Sequence, residues 1–264
     1  MEQHHPWRIV QLTDSHLYKD PDSRLMGMNT AQSFAAVVDL VRLERPQIDA
    51  ILGTGDITQD ASIEAYDRFR QSALALCPNM VWIPGNHDEA ALMQRLPFPT
   101  DHNQRLLDND FWRIVLLDSS ILKTVHGKLS KDELTFLDDA LASAGDRFVM
   151  IAMHHNPIPS GSVWLDNHSL QNTDDFHAVI DRYPKVKVIL WGHIHQQVDK
   201  NIQGRRYLAT PSTCVQFAPH QVDFKADDAP PGYRWLDLYP DGHIETAVSR
   251  VNVKLDVDLK SGGY

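Results

Sequence analysis

Short apolar runs that end in glycine, aspartate, asparagine or histidine recur along this chain, and they limit what it can fold into. Val10-Gln11-Leu12-Thr13 runs into Asp14-Ser15-His16, and Ile51-Leu52-Gly53-Thr54-Gly55 runs into Asp56. Val81-Trp82-Ile83-Pro84-Gly85 runs into Asn86-His87-Asp88. Ile151-Ala152-Met153 runs into His154-His155, and Ile189-Leu190-Trp191-Gly192 runs into His193-Ile194-His195. Apolar runs of this length read as buried strands. The spacing predicts strands over Arg8–Thr13, Ala50–Gly53, Met80–Ile83, Arg113–Leu117, Phe148–Met153 and Val186–Trp191. Helical periodicity lies between them, over Thr30–Arg45, Ser62–Leu76, Lys131–Ser143 and Thr173–Arg182. Strands alternating with helices predict an α/β fold. In such sheets ligands bind outside the carboxyl ends of the strands, so these polar groups are expected on one rim.

The helix starts carry capping signals. Ser130 with Glu133 has the capping-box spacing, and Asn172 and Asp60 are weaker N-cap candidates. Pro46 and Pro184 stand where helices should stop. Beyond Arg205 the helical pattern fades, and Tyr207–Ala209, Cys214–Phe217, Tyr233–Tyr239 and Ile244–Val251 read as a closing, mostly antiparallel sheet. The 264 residues are expected to form one domain, with residues 253–264 as a frayed polar tail.

Composition excludes several classes. Two cysteines, Cys77 and Cys214, make no disulfide framework and suit a reducing compartment. No run approaches the ~20 apolar residues of a membrane span, and the amino terminus lacks a basic segment followed by an apolar one. A cytoplasmic protein without a membrane partner is expected. The net charge of −10 disfavours nucleic-acid binding, which depends on Lys and Arg neutralising phosphates. It leaves room for a small anionic substrate, because bound divalent cations reverse the field of one cleft.

Aspartate, histidine and asparagine without cysteine suit iron, manganese or zinc, and a carboxylate can bridge two such ions. Each piece has a plainer reading alone. Asp14-x-His16 and Gly55-Asp56 are also turn chemistry, and His193-x-His195 is also a surface pair on one strand face. In one ordered set, the metal reading is the simpler one.

The series Asp14-x-His16, Gly55-Asp56, Gly85-Asn86-His87-Asp88, His154 and Gly192-His193-x-His195 resembles the calcineurin-like metallophosphoesterases, over roughly Trp7 to Val251. The resemblance implies a four-layer αββα sandwich, two mixed sheets flanked by helices. It implies that one metal takes Asp14, His16 and His195, that the other takes Asn86, His154 and His193, and that Asp56 bridges them. His154, three residues before Pro157, is the ligand of the His154-His155 pair. His16, Asp56, Asn86, His87, His154 and His195 would meet the substrate. His87 would act as the catalytic group facing the phosphate, with Asp88 orienting it. The alternative for Asp88 is a helix N-cap.

His126-Gly127-Lys128-Leu129-Ser130, the run Trp164 to Leu170 and the run Pro211 to Phe217 resemble segments of bacterial class III cyclic-AMP phosphodiesterases. The expected reaction is hydrolysis of 3′,5′-cyclic AMP to 5′-AMP, by in-line attack of a metal-bridging hydroxide with His87 assisting the leaving O3′. Two divalent ions are the implied cofactors and a cyclic nucleotide the implied small-molecule partner. Trp164 and His168 would either meet the base or shape the entrance, the plainer reading being that Trp164 anchors its loop. Phe217 and Cys214 are expected in the core of the second sheet. The competing functions are a broader phosphodiesterase or nucleotide pyrophosphatase, a non-catalytic scaffold on the same fold, and a nuclease.

Overall fold

The computed structural model describes residues 5–96, 104–252 and 256–263. Two mixed sheets face each other. The first has the order β15-β14-β1-β4-β5, built from β1 (Trp7–Leu12), β4 (Ala50–Thr54), β5 (Met80–Ile83), β14 (Gly232–Leu238) and β15 (Ile244–Arg250). The second has the order β10-β11-β9-β8-β7-β6. Its strands are β6 (Leu106–Asp108), β7 (Trp112–Leu116), β8 (Phe148–Ala152), β9 (Val186–Trp191), β10 (Val198–Ile202) and β11 (Arg205–Ala209). Two small ribbons complete the strands, β2 (Arg24–Leu25) with β3 (Met28–Asn29), and β12 (Gln216–Phe217) with β13 (Ala226–Asp227). The helices are α1 (Thr30–Glu44), α2 (Ile63–Leu76), α3 (Ala90–Met93), α4 (Lys131–Ala142), α5 (Val163–Asp166) and α6 (Thr173–Ile180).

Alternation along the strands explains the layers, since successive side chains point to opposite faces. Ile9, Leu52 and Val81 of the first sheet pack with Ile114, Met150, Val188 and Leu190 of the second, forming the inner core. Their neighbours Val10, Leu12 and Ile51 face Phe34, Val37, Val41 and Phe69 of α1 and α2. On the other side Val149, Ile151 and Ile189 face Leu137 and Leu141 of α4 and Phe176 and Ile180 of α6. Buried on both faces, these strands read as nearly continuous apolar runs. The expected four layers are present.

Parallel pairing of β1 with β4, β4 with β5, and β8 with β9 sends these carboxyl ends to a common rim. Backbone bonds lock the rim: Asp14 N to Gly55 O at 3.0 Å, His16 N to Asp56 O at 3.0 Å, and Gly192 N to His154 O at 3.2 Å. Across the sheets, Gln11 Nε2 donates to Trp191 O at 3.2 Å.

Two expectations need correction. The late strands form no sheet of their own. β11 joins β9 in parallel, and β14 runs antiparallel to β1 with β15 beyond it. β14 thereby covers the edge that β1 would otherwise leave unpaired. Second, the caps differ. Ser130 accepts Glu133 N as expected, but the Glu133 carboxylate accepts from Arg105 and from Asp118 N. Asn172 exchanges hydrogen bonds with the backbone of Leu129 and makes no cap, and Asp60 binds the Ser62 N–H and hydroxyl. Of the expected polar tail, residues 253–255 and 264 lie outside the described residues, and the residues between them are mostly exposed. Val257 is half-buried against the cluster beneath α4 and α6, and Asp258 N donates to Met26 O at 2.7 Å. Among the described residues, no helix is long and apolar enough to cross a membrane.

Candidate metal centre

The seven residues picked out as ligands come together. Asp14, His16 and His195 offer ligand atoms within 4.8 Å of one another, and so do Asp14, Asp56 and His154. Asp56 Oδ2 lies between the two groups, 3.9 Å from His16 Nε2 and 3.3 Å from His154 Nε2. His195 Nε2 is 3.3 Å from Asp14 Oδ1, and Asn86 Oδ1 is 3.2 Å from His154 Nε2. His193 joins through a cluster with His154 and His155.

The imidazoles are aimed by what they bond behind the centre. His154 Nδ1 donates to Thr54 O at 2.8 Å and His195 Nδ1 to Val215 O at 2.8 Å. His16 Nδ1 donates to Gln59 Oε1 at 2.6 Å, and His193 Nε2 to His168 O at 3.1 Å. A carbonyl oxygen only accepts, so each contact places a ring proton on the outer nitrogen and leaves the inner nitrogen facing the cluster. In His155 both nitrogens are engaged, Nδ1 by Ser119 Oγ at 2.8 Å and Nε2 by Val125 O at 3.0 Å. It packs against His154 and His193 with ring centroids 4.9 and 4.7 Å apart.

A divalent pair fits this donor set. His154 Nε2, Asn86 Oδ1 and Asp56 Oδ2 stand close together, an arrangement that a positive charge among them, a proton or a cation, stabilises. Asp56 Oδ2 and His193 Nδ1 are buried without a hydrogen-bond partner. The local electrostatics agree. Burial alone would raise the Asp56 carboxyl, yet His154 and His87 hold it well below the usual range. Burial pulls His154 down, but Asp56 outweighs it and lifts the ring to about 9. Burial takes His16 to about 3 and His193 well below its ordinary value.

The backbone is strained at the same places. Asp14, His16, Asp56, His193 and His195 all have positive φ, from 45° to 64°. Left-handed non-glycine residues cost energy and cluster at functional sites. Two glycines permit the close approach of the loops. A Cβ on Gly85 would stand 2.2 Å from Asp56 Oδ1, and one on Gly192 would stand 2.1 Å from Thr13 Oγ1 and 2.5 Å from Asp14 Oδ2.

His87 lies at the edge of the cluster. Its N–H donates to Asp56 Oδ1 at 2.9 Å, and its ring meets His16 edge-on at 5.0 Å. Asp88 has a place that the sequence did not indicate. Its oxygens accept the backbone N–H groups of Gly85 at 2.9 Å and of Ile57 and Thr58 at 3.1 Å. It ties the loop after β4 to the turn after β5. It does not cap α3, whose N-cap position is Glu89. Gln59 was also missed, because a lone glutamine in a turn carries no motif. Phe217 and Cys214 are buried as expected, but Phe217 belongs to the β12 ribbon and stacks on His195 at 4.1 Å and 9°.

The family model described as calcineurin-like phosphoesterase matches residues 8–197. The chain is 47% identical to a Pseudomonas aeruginosa protein named 3′,5′-cyclic adenosine monophosphate phosphodiesterase CpdA, over 97% of this chain and 94% of that one. It is 41% identical to the protein of the same name from Escherichia coli K12, again over 97% and 94%. A Nostoc protein named 3′,5′-cyclic-nucleotide phosphodiesterase shares 37% identity over 98% and 97%. Among solved structures, a dimetal phosphatase from Danio rerio superposes with a TM-score of 0.72 at 15% identity, covering 98% of this chain and 100% of that one. At that identity the likeness is one of fold.

Proposed function

This chain belongs to the calcineurin-like phosphoesterases, and on that premise we propose that it hydrolyses 3′,5′-cyclic AMP to 5′-AMP at a pair of divalent cations. The observation that carries the reading is the convergence of Asp14, His16, Asp56, His154 and His195 on shared space, in a chain so similar to cyclic-AMP phosphodiesterases. In this reading Asp14, His16 and His195 would hold one ion, Asn86, His154 and His193 would hold the other, and Asp56 would serve both. Two such cations supply an activated water and neutralise charge on the phosphoryl oxygens. Iron or manganese suits the donors.

The protein's own groups do the rest. Only Asp14 and Asp56 bring negative charge to the set, and Asn86 adds a neutral ligand, so the loaded site keeps a net positive charge for an anionic diester. His87, beside His16 and Asp56, would give a proton to the departing O3′. His16, Asp56, Asn86, His154 and His195 frame the phosphate. Asp88 supports His87 through the loops that it pins. The free, buried Cys77 and Cys214 agree with a cytoplasmic setting.

The test is hydrolysis of cyclic AMP with added Mn²⁺, following 5′-AMP and 3′-AMP separately beside an aryl diester. Formation of 5′-AMP, lost in Asp56→Ala and Asn86→Ala, is expected. His87→Ala should retain metal while losing roughly 10²–10⁴-fold in kcat, the range of a general acid. Aryl diester cleavage with cyclic AMP untouched would overturn the substrate. Full turnover in His87→Ala would overturn the role of that histidine.

A further inference from the structure

A recess of about 240 Å³ opens beside the metal centre, lined by His87, His193, Trp164, His168, Phe224 and Gly263 among others. It shares His87 and His193 with the centre, so whatever enters it lies next to the phosphate. Pockets for whole small ligands span roughly 300–1,000 Å³, and this one is the size for a single ring system. Its wall is aromatic. Trp164 meets Phe217 and Phe224 edge-on, each with centroids 5.1 Å apart. Phe217 in turn stacks on His195. The wall is therefore fixed to the metal centre through packed rings.

The far side is supplied by the carboxyl-terminal segment. Asp258 is anchored to Met26 O, Ser261 N donates to Asp258 O at 3.1 Å, and Ser261 Oγ donates to Gly263 O at 2.8 Å. This turn brings Gly263 to the recess. From the opposite direction, His155 holds the carbonyl of Val125 at 3.0 Å, and Val125 also lines the recess.

Resting on the cyclic-AMP reading above, we propose that this recess is the nucleobase subsite, with Trp164 and Phe224 as its aromatic wall and the carboxyl-terminal segment through Gly263 as its closing side. The adenine ring enters the recess while the cyclic phosphate reaches the metals. The segment thus contributes to substrate preference without touching the reacting bond.

The experiment compares cyclic AMP with a base-free substrate, 1-O-methyl-ribose 3′,5′-cyclic phosphate, on the Mn²⁺-loaded full chain and on Phe224→Ala, Trp164→Phe and a chain ending at Lys260. The ratio of kcat/KM for cyclic AMP over the base-free diester should fall about tenfold in Phe224→Ala and in the shortened chain, mostly through KM. That size lies within what contact between a base and an aromatic ring supplies. Binding of 5′-AMP against ribose 5-phosphate, measured by calorimetry on the same proteins, should show the same loss of preference. In the parent, 5′-AMP should quench tryptophan emission, and the quench should disappear in Trp164→Phe. An unchanged ratio in variants that still fold and turn over would overturn the subsite while leaving the cyclic-AMP reading intact. A parent that cleaves the base-free diester but not cyclic AMP would overturn both.

Discussion

Each imidazole of the metal set gives one ring proton to a carbonyl oxygen behind it: His16 to Gln59, His154 to Thr54, His193 to His168 and His195 to Val215. Three of these acceptors are backbone and follow from the fold. Gln59 is the exception, a side chain whose only evident task here is to hold His16 Nδ1. Such outer partners fix ring orientation and raise ligand basicity, and losing one typically costs roughly 10–100-fold in metal affinity. Gln59→Leu should therefore weaken metal retention by that factor, measured as Mn²⁺ content during graded dialysis against a chelator. Gln59→Glu also accepts and should retain more metal than the leucine variant. Equal retention in parent and Gln59→Leu would mean that Phe217 stacking and loop packing orient the site without it.

The site is built at the ends of elements, which decided what was legible in advance. β1, β4, β5, β8 and β9 are buried on both faces, so their apolar runs stood out, and so did the polar residues that end them. The strand ends share one rim because parallel pairing aligns them. What the sequence hid was pairing at long range. β10, with one half-buried residue followed by four exposed ones, has no apolar run, and nothing local says that β14 returns to β1. Asp88 was hidden for the same reason, because two of its three acceptor contacts reach back about thirty residues, to Ile57 and Thr58. The turns interlock tightly enough that the glycines can be tested. Gly192→Ala would drive a Cβ onto Thr13 and Asp14, and overpacking of this kind costs about 1–3 kcal/mol. Reduced stability in urea together with lower metal content is expected. A variant with parent stability and full metal content would show that the two turns can part without loss.

The two sheets are held together by more than apolar packing. Arg234 of β14 is fully buried, yet it donates to oxygens of carbonyls and hydroxyls: Ala209 O at 2.8 Å, Val198 O at 3.1 Å, and Thr210 Oγ1 and Thr246 Oγ1 at 3.2 Å. Burial pulls its pKa down to about 10, with Asp199 opposing. The chain of contacts continues inward. Thr210 Oγ1 donates to Gln11, Gln11 Nε2 donates to Thr54 Oγ1 at 2.7 Å, and the Thr54 carbonyl accepts His154. A network that begins in the first sheet and crosses to the second thus ends beneath a proposed metal ligand. Replacing Arg234 with methionine keeps the apolar stem but leaves buried carbonyls without donors, each costing about 1–3 kcal/mol. Arg234→Met should lose on the order of 3 kcal/mol of unfolding free energy in urea. Arg234→Lys should recover little, because an ammonium lacks the planar fork that reaches several acceptors at once. If the network also sets His154, metal affinity should fall in both variants alongside stability. Lost stability with metal affinity intact would confine Arg234 to joining the sheets, and parent stability in Arg234→Met would show that the sheets are held by their apolar faces alone.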